Sequence, residues 1–290
     1  MRYPSEIELV RHFPMDDLQY VFHYTTYSSA LGILLGQKMR LGSLINMNDP
    51  LEFQDRHGEG LVFHGNPSNE FLASEIQNFE NAVTEKEKTV RLASFSVDAP
   101  FFNQPNGCQE NFFNNLSKGW ARSRMWAQYA DNHKGVCLIF EKDNLEKAFR
   151  SAFNSESCKV YCKKVNYTND LTALKGTLSK SCESFLTLDK IEFLFQKCED
   201  FRDEQEFRLL LINKALKDVK EVVSFPIKGS LCGVIMGTRF PKENEATLKK
   251  AMECCDSEIR LFSIWWDYGE PKLYDFTRHK EMMKKILDGD

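Results

Sequence analysis

No two cysteines in this chain are separated by two residues, so the usual half-site of a structural zinc centre is missing. The nine cysteines are odd in number, Cys158 and Cys162 are spaced by three residues, and Cys254 and Cys255 are adjacent. Free thiols in a reducing compartment are therefore expected, and no structural metal. No apolar run approaches the ~18 residues that a membrane span needs. The opening stretch MRYPSEIELVRHFPMDD has no apolar segment of the signal-peptide kind, so a cytoplasmic protein with no membrane partner is expected. Excess positive charge is lacking as well. A net charge of −4 and a pI near 6.0 argue against bulk electrostatic binding of duplex DNA. Neither an internal repeat nor a low-complexity linker divides the 290 residues. One domain over 1–290 is expected, with a core from about residue 20 to about 266 and a tail helix at about 275–288.

What the chain does hold is an ordinary globular balance, 42% hydrophobic and 28% charged, with 23 phenylalanines that promise an aromatic core. YVFHYTT (20–26) reads as a strand, and SSALGILLGQK after it as a helix capped by Ser28 or Ser29. MRLGSLINMNDPLEF holds a strand and a turn at Asn48-Asp49-Pro50. Residues 70 to 90 read as a charged helix, VRLASFSVD (90–98) as a strand, and residues 99 to 118 as a long polar loop or lid. SRMWAQYADNHKG (123–135) starts helical and stops at Gly135. VCLIFE, KVYCKKVNYT, FRLLLI, GVIMGTRF and IRLFSIWW supply further strands, with helices at 170–198 and 242–254. The fold class expected is α+β, a mixed sheet with flanking helices.

Several residues have side chains suited to chemistry. His23, followed by Tyr24 and Thr25 at the end of the first strand, suits a bond to a ribose hydroxyl, or else is a satisfied half-buried histidine. Ser94 and Ser96 project to one side of their strand and suit a ligand or a catalytic carboxylate, or are exposed filler. Trp126 and Tyr129 share a helix face, where they stack a planar base or belong to the core. In FRDEQEFRLLLI (201–212), charges run straight into an apolar strand. If the segment is extended, Glu204 and Glu206 project together, and Arg208 shares that side. Two carboxylates so placed form either a catalytic pair or, with Arg208, a structural ion pair.

HYT (23–25), NDP (48–50), SFS (94–96), MWAQYADNHKG (125–135) and ExEFR (204–208) occur in the order seen in a bacterial family catalogued as domain of unknown function 2971. By these motifs the chain resembles that family from about residue 20 to about 240. It is similar, more loosely, to enzymes that transfer ADP-ribose from NAD. These use a split sheet with three signature strands carrying His or Arg, a Ser or Tyr motif, and a catalytic Glu often written E-x-E. His23, Ser94 with Ser96, and Glu204 with Glu206 stand here in that order, although E-x-E usually accompanies Arg and the first element here is His.

That resemblance implies an ADP-ribosyltransferase-like fold and NAD as the substrate, with no metal. It implies Glu206 and Glu204 as catalytic residues, and His23, Tyr24, Thr25, Ser94, Ser96, Trp126, Tyr129 and Arg208 around the nucleotide. The acceptor, protein or nucleic acid, stays open, and the setting implied is bacterial defence or toxin biology, including defence against phage. Two alternatives stand beside it. One is a metal-dependent phosphodiesterase using Asp49, Glu52, Glu204 and Glu206 with Mg²⁺. The other is a non-catalytic nucleotide-sensing or protein-interaction module.

Overall fold

A computed structural model of the chain describes residues 9–10, 19–44, 68–99, 115–169, 191–255 and 259–276. The elements in chain order are β1 (Leu9–Val10), β2 (Tyr20–Thr25), α1 (Tyr27–Gly36), β3 (Lys38–Ser43), α2 (Asn69–Thr89), β4 (Val90–Ser96), α3 (Ser123–Gln128), β5 (Val136–Glu141) and α4 (Lys142–Ala152). They continue with β6 (Cys158–Lys164), β7 (Asn166–Tyr167), β8 (Gln196–Lys197), β9 (Glu206–Asn213), β10 (Val223–Pro226), β11 (Leu231–Met236), α5 (Lys242–Glu253), β12 (Arg260–Asp267) and β13 (Glu270–Asp275). The class is α+β with a mixed sheet, as the strand and helix patterns in sequence require. The turn at Asn48-Asp49-Pro50, most of the 99–118 loop, most of the 170–198 helix and nearly all of the tail helix lie outside the described residues.

The chain packs as two compact units, one of Met1–Met39, Ser94–Ala152 and Ser224–Asp290, the other of Arg40–Ala93 and Phe153–Val223. No linker composition marks the divisions, because they fall inside β3, β4 and β10 or directly after α4.

In the first unit β5 is the central strand. It pairs antiparallel with β2 and with β11, and β11 pairs parallel with β12, which forms a hairpin with β13. Every residue from Val136 to Phe140 is fully buried, so both faces of β5 are covered. One face holds Phe22, Tyr24, Trp120, Trp126, Cys137, Ile139, Ile235 and Phe262 as a single apolar cluster. The other carries Phe140, on which the Phe95 ring packs edge-on. Helix α1 starts one residue earlier than Ser28: Thr26 is extended and its Oγ1 accepts the Ser29 N–H at 3.2 Å. Helix α4 went unread in sequence, although Leu145 and Phe149, four apart and both fully buried, were its signal.

In the second unit β6 and β9 pair antiparallel over seven residues, from Cys158↔Asn213 to Lys164↔Phe207, and β4 pairs with β3 and β9. Leu44, Val90, Leu92, Ile191, Leu194, Phe195, Leu210 and Ile212 form its core. Residues 192–198 are not α-helical. They form a 3₁₀ turn (Glu192–Phe195) and then β8, which pairs parallel with β7. Arg91, almost fully buried, donates to the carbonyls of Lys88, Val90, Asp218 and Val219 at 2.8 to 3.1 Å, stapling the 218–221 loop to β4.

Candidate functional site

Strand β9 has no exposed face: Glu206 through Ile212 are all buried. A charge in such a strand must be paired, because an uncompensated buried ion costs several kcal/mol. The pairing is dense. Arg208 donates from Nε to Glu206 Oε1 at 2.6 Å and from Nη2 to Glu206 Oε2 at 3.0 Å, a two-pronged contact, while its Nη1 donates to the Leu194 carbonyl at 2.5 Å. Lys197 Nζ lies 2.6 Å from Glu204 Oε2 and 3.1 Å from Glu206 Oε2. All four side chains are buried, and the Lys197 ammonium also lies 5.0 Å above the Phe201 ring.

Glu206 and Arg208 share a side by strand alternation, as expected. Glu204 does not reach the cluster that way. It ends a 3₁₀ turn (Glu199–Glu204), and Gln205, with φ of 43°, turns the backbone between the two glutamates. The left-handed residue, not an extended segment, brings both carboxylates to one cation. Tyr167 Oη accepts the Glu206 N–H at 2.8 Å, and burial raises its phenol well above the ordinary range. Lys197 and Tyr167 were missed in sequence. A lone lysine in the apolar run IEFLFQK was the available signal.

The other expected residues lie in the first unit. His23 Nδ1–H donates to the Ser94 carbonyl at 3.0 Å, and its ring lies 5.5 Å from Phe95. The pairing of Phe22 with Ser96 puts the Ser94 and Ser96 side chains on the face of Phe22 and Tyr24, and His23 with Phe95 on the opposite face. The histidine therefore meets the serine strand through backbone, and its side chain does not share a surface with the two hydroxyls. Trp126 is fully buried, donates its Nε1–H to the Trp120 carbonyl at 2.8 Å and meets the Tyr24 ring edge-on. It is core, so base stacking by Trp126 is corrected, and Tyr129 packs at the margin of the same cluster. Tyr24 donates to the Gly119 carbonyl at 2.7 Å, and Thr25 is buried at the strand end.

Helix α3 stops at Gln128, not at Gly135. Asp131, Asn132 and His133 follow with φ of 46°, 50° and 70°, three successive left-handed residues that are costly without glycine. His133 stacks on Trp126, its Nδ1 is buried with no partner among the described residues, and Arg239 donates its backbone N–H to the His133 carbonyl at 3.0 Å. Gly135 is needed for space: a Cβ there would lie 2.3 Å from the Thr25 carbonyl oxygen. Asp49 and Glu52, the further carboxylates of a metal site, lie outside the described residues. No described helix is long and apolar enough to cross a membrane.

Enclosure lowers the His23 pKa from its ordinary value near ~6.5. The unfolded chain then takes up the proton first as pH falls. Stability from the neutral ring is full above ~6.5 and is lost as pH drops from there through the lowered folded value. His23→Asn keeps an N–H for the Ser94 carbonyl without titrating, so its unfolding free energy should fall less than the wild type's between about pH 7 and about pH 5. An equal fall in unfolding free energy for the two proteins, from urea titrations at the two pH values, would count against a buried neutral His23.

No curated protein and no solved structure matches the chain. The family model described as Protein of unknown function (DUF2971) matches residues 125–209, a shorter stretch than the motifs suggest, which runs from α3 to the fourth residue of β9. The MWAQYADNHKG and ExEFR segments both fall inside it, so the family whose motifs the sequence carries is the family that this central segment matches.

Proposed function

We propose that the protein is a cytoplasmic, NAD-binding enzyme of the ADP-ribosyltransferase type, which cleaves the nicotinamide–ribose bond and passes the ADP-ribosyl group to an acceptor or to water. The observation that carries this reading lies within the second unit: Glu204 and Glu206, the two carboxylates of the E-x-E motif, converge on the Lys197 ammonium at 2.6 and 3.1 Å.

As the nicotinamide–ribose bond breaks, nicotinamide leaves neutral with the bonding electrons and positive charge builds at the ribose. Glu206 stabilises that charge and bonds a ribose hydroxyl, and Glu204 takes the proton of the incoming nucleophile. The setting proposed is bacterial defence or toxin biology, on the family resemblance alone.

A non-catalytic nucleotide-sensing or protein-interaction module is the second reading, favoured by one observation: both oxygens of Glu206 are engaged by Arg208 and Lys197. Nicotinamide release from NAD, followed by chromatography, separates the two. The enzyme reading expects release above background by the wild-type chain and none by Glu206→Gln at a temperature where both are folded. Thermal stabilisation by NAD without release establishes the second reading, and neither effect sinks both.

A further inference from the structure

We infer that Lys197 is an internal counter-ion that occupies the cation position of the Glu204–Glu206 pair and holds that site closed. What the open pair does rests on the NAD reading above; how the pair is occupied does not. The ammonium lies at 2.6 and 3.1 Å from one oxygen of each carboxylate, the distances at which a developing ribosyl cation would have to be stabilised. Glu206 Oε2 already takes Arg208 from the side, and the Lys197 ammonium fills the place from which Glu204 Oε2 and Glu206 Oε2 are reached together. Lys197 in place and a cationic transition state in place are therefore mutually exclusive.

Arg208 is not the blocking group. It grips Glu206 along the strand with two bonds and anchors its third nitrogen on Leu194, so it orients the carboxylate from the side. Lys197 arrives on a different element, the two-residue strand β8 between two 3₁₀ turns, tied there by the Thr168 N–H to the Lys197 carbonyl at 3.0 Å. A point charge on a flexible four-carbon stem can withdraw where a planar guanidinium held at three nitrogens cannot. Burying a lysine against carboxylates adds little stability over apolar packing, and an ionic group kept in such a place is best attested in registry and switching roles. The structure thus describes a self-inhibited pair.

Two variants test this. Lys197→Met keeps the length and removes the charge, and it should release nicotinamide from NAD at least about tenfold faster than the wild type. Lys197→Ala vacates the ammonium position, and propylammonium chloride should raise its melting temperature while n-propanol does not, with no such effect on the wild type. Both results together establish the closed pair as an inhibited enzyme site. Propylammonium rescue with no nicotinamide release by any variant keeps Lys197 as the occupant and ends the NAD reading. Release by the wild type that is equal or slower in Lys197→Met, with no rescue of Lys197→Ala, overturns the inference and leaves the enzyme reading standing. If neither variant folds by circular dichroism, the inference is overturned too, and Lys197 is a structural counter-ion alone.

Discussion

Glu206→Gln should lower the melting temperature by on the order of 10 °C. Glutamine preserves the shape of the side chain and its packing at the start of β9, so no cavity forms. What goes is the charge that two buried cations share. Arg208 loses its charged partner and, since one amide oxygen replaces two carboxylate oxygens, one of its Nε and Nη2 bonds, while Lys197 loses one of the two carboxylates it shares. Removing one member of a buried ion pair costs about 3 to 5 kcal/mol because the remaining charge stays out of water. The same substitution at a looser, partly exposed surface pair, such as Glu146 beside Lys142 and Arg150 on α4, should cost below about 1 kcal/mol. Calorimetry on Glu206→Gln and Glu146→Gln makes the comparison. Equal shifts would mean that the EQEFR charges are solvated and that β9 is open to water at its start.

Gly135→Ala and Gly237→Ala should be more damaging still, by more than about 4 kcal/mol, to the point of little folded protein. A Cβ on Gly135 would lie 2.3 Å from the Thr25 carbonyl oxygen and 3.0 Å from the backbone of Ala130; one on Gly237 would lie 2.2 Å from the His133 carbonyl oxygen. Each obstruction is main chain, held by its own hydrogen bonds: Gly135 N–H to the Ala130 carbonyl at 2.8 Å, Gly237 N–H to the Gly135 carbonyl at 3.1 Å. No rotamer change relieves it. Gly32 lies within α1 with nothing near its Cβ position, and Gly32→Ala should instead stabilise by about 0.5 to 1 kcal/mol. Soluble yield and urea midpoints for the three variants decide this. Tolerance at Gly135 or Gly237 would show that the three-segment junction of Thr25, residues 131–135 and Gly237 is looser than the distances imply.

That junction marks the limit of what the sequence reveals. Periodicity locates β2, β5, β9, β11 and β12 because apolar alternation or a continuous apolar run is a property of neighbouring residues. It also yields the shared side of Glu206 and Arg208. The left-handed run Asp131–His133 has no such signature, since two of its three residues are common polar turn formers and the third is a histidine. Trp126 and Tyr129 show the same limit from another side. A Trp/Tyr pair on a short helix is spaced alike whether it faces a ligand or a core, and only the Trp120 carbonyl and the Tyr24 ring decide it. Lys197 was illegible for a third reason. It reaches the carboxylates through a two-residue parallel pairing with Asn166–Tyr167, a contact across some thirty residues that leaves no local pattern. His23 could be read as a strand-end histidine, but which face it occupies depends on the register of β2 against β4, and register is set by the sheet.

The most direct measurement is a double-mutant cycle on Glu206→Gln, Lys197→Met and the two combined, with unfolding free energies from urea titration. The combined variant removes one negative and one positive charge from the quartet, so it should be less destabilised than the sum of the single changes, with a coupling of about 2 kcal/mol or more. Single effects that add to within about 0.5 kcal/mol would contradict a buried cation shared by the two carboxylates, and with it the site proposed for this chain.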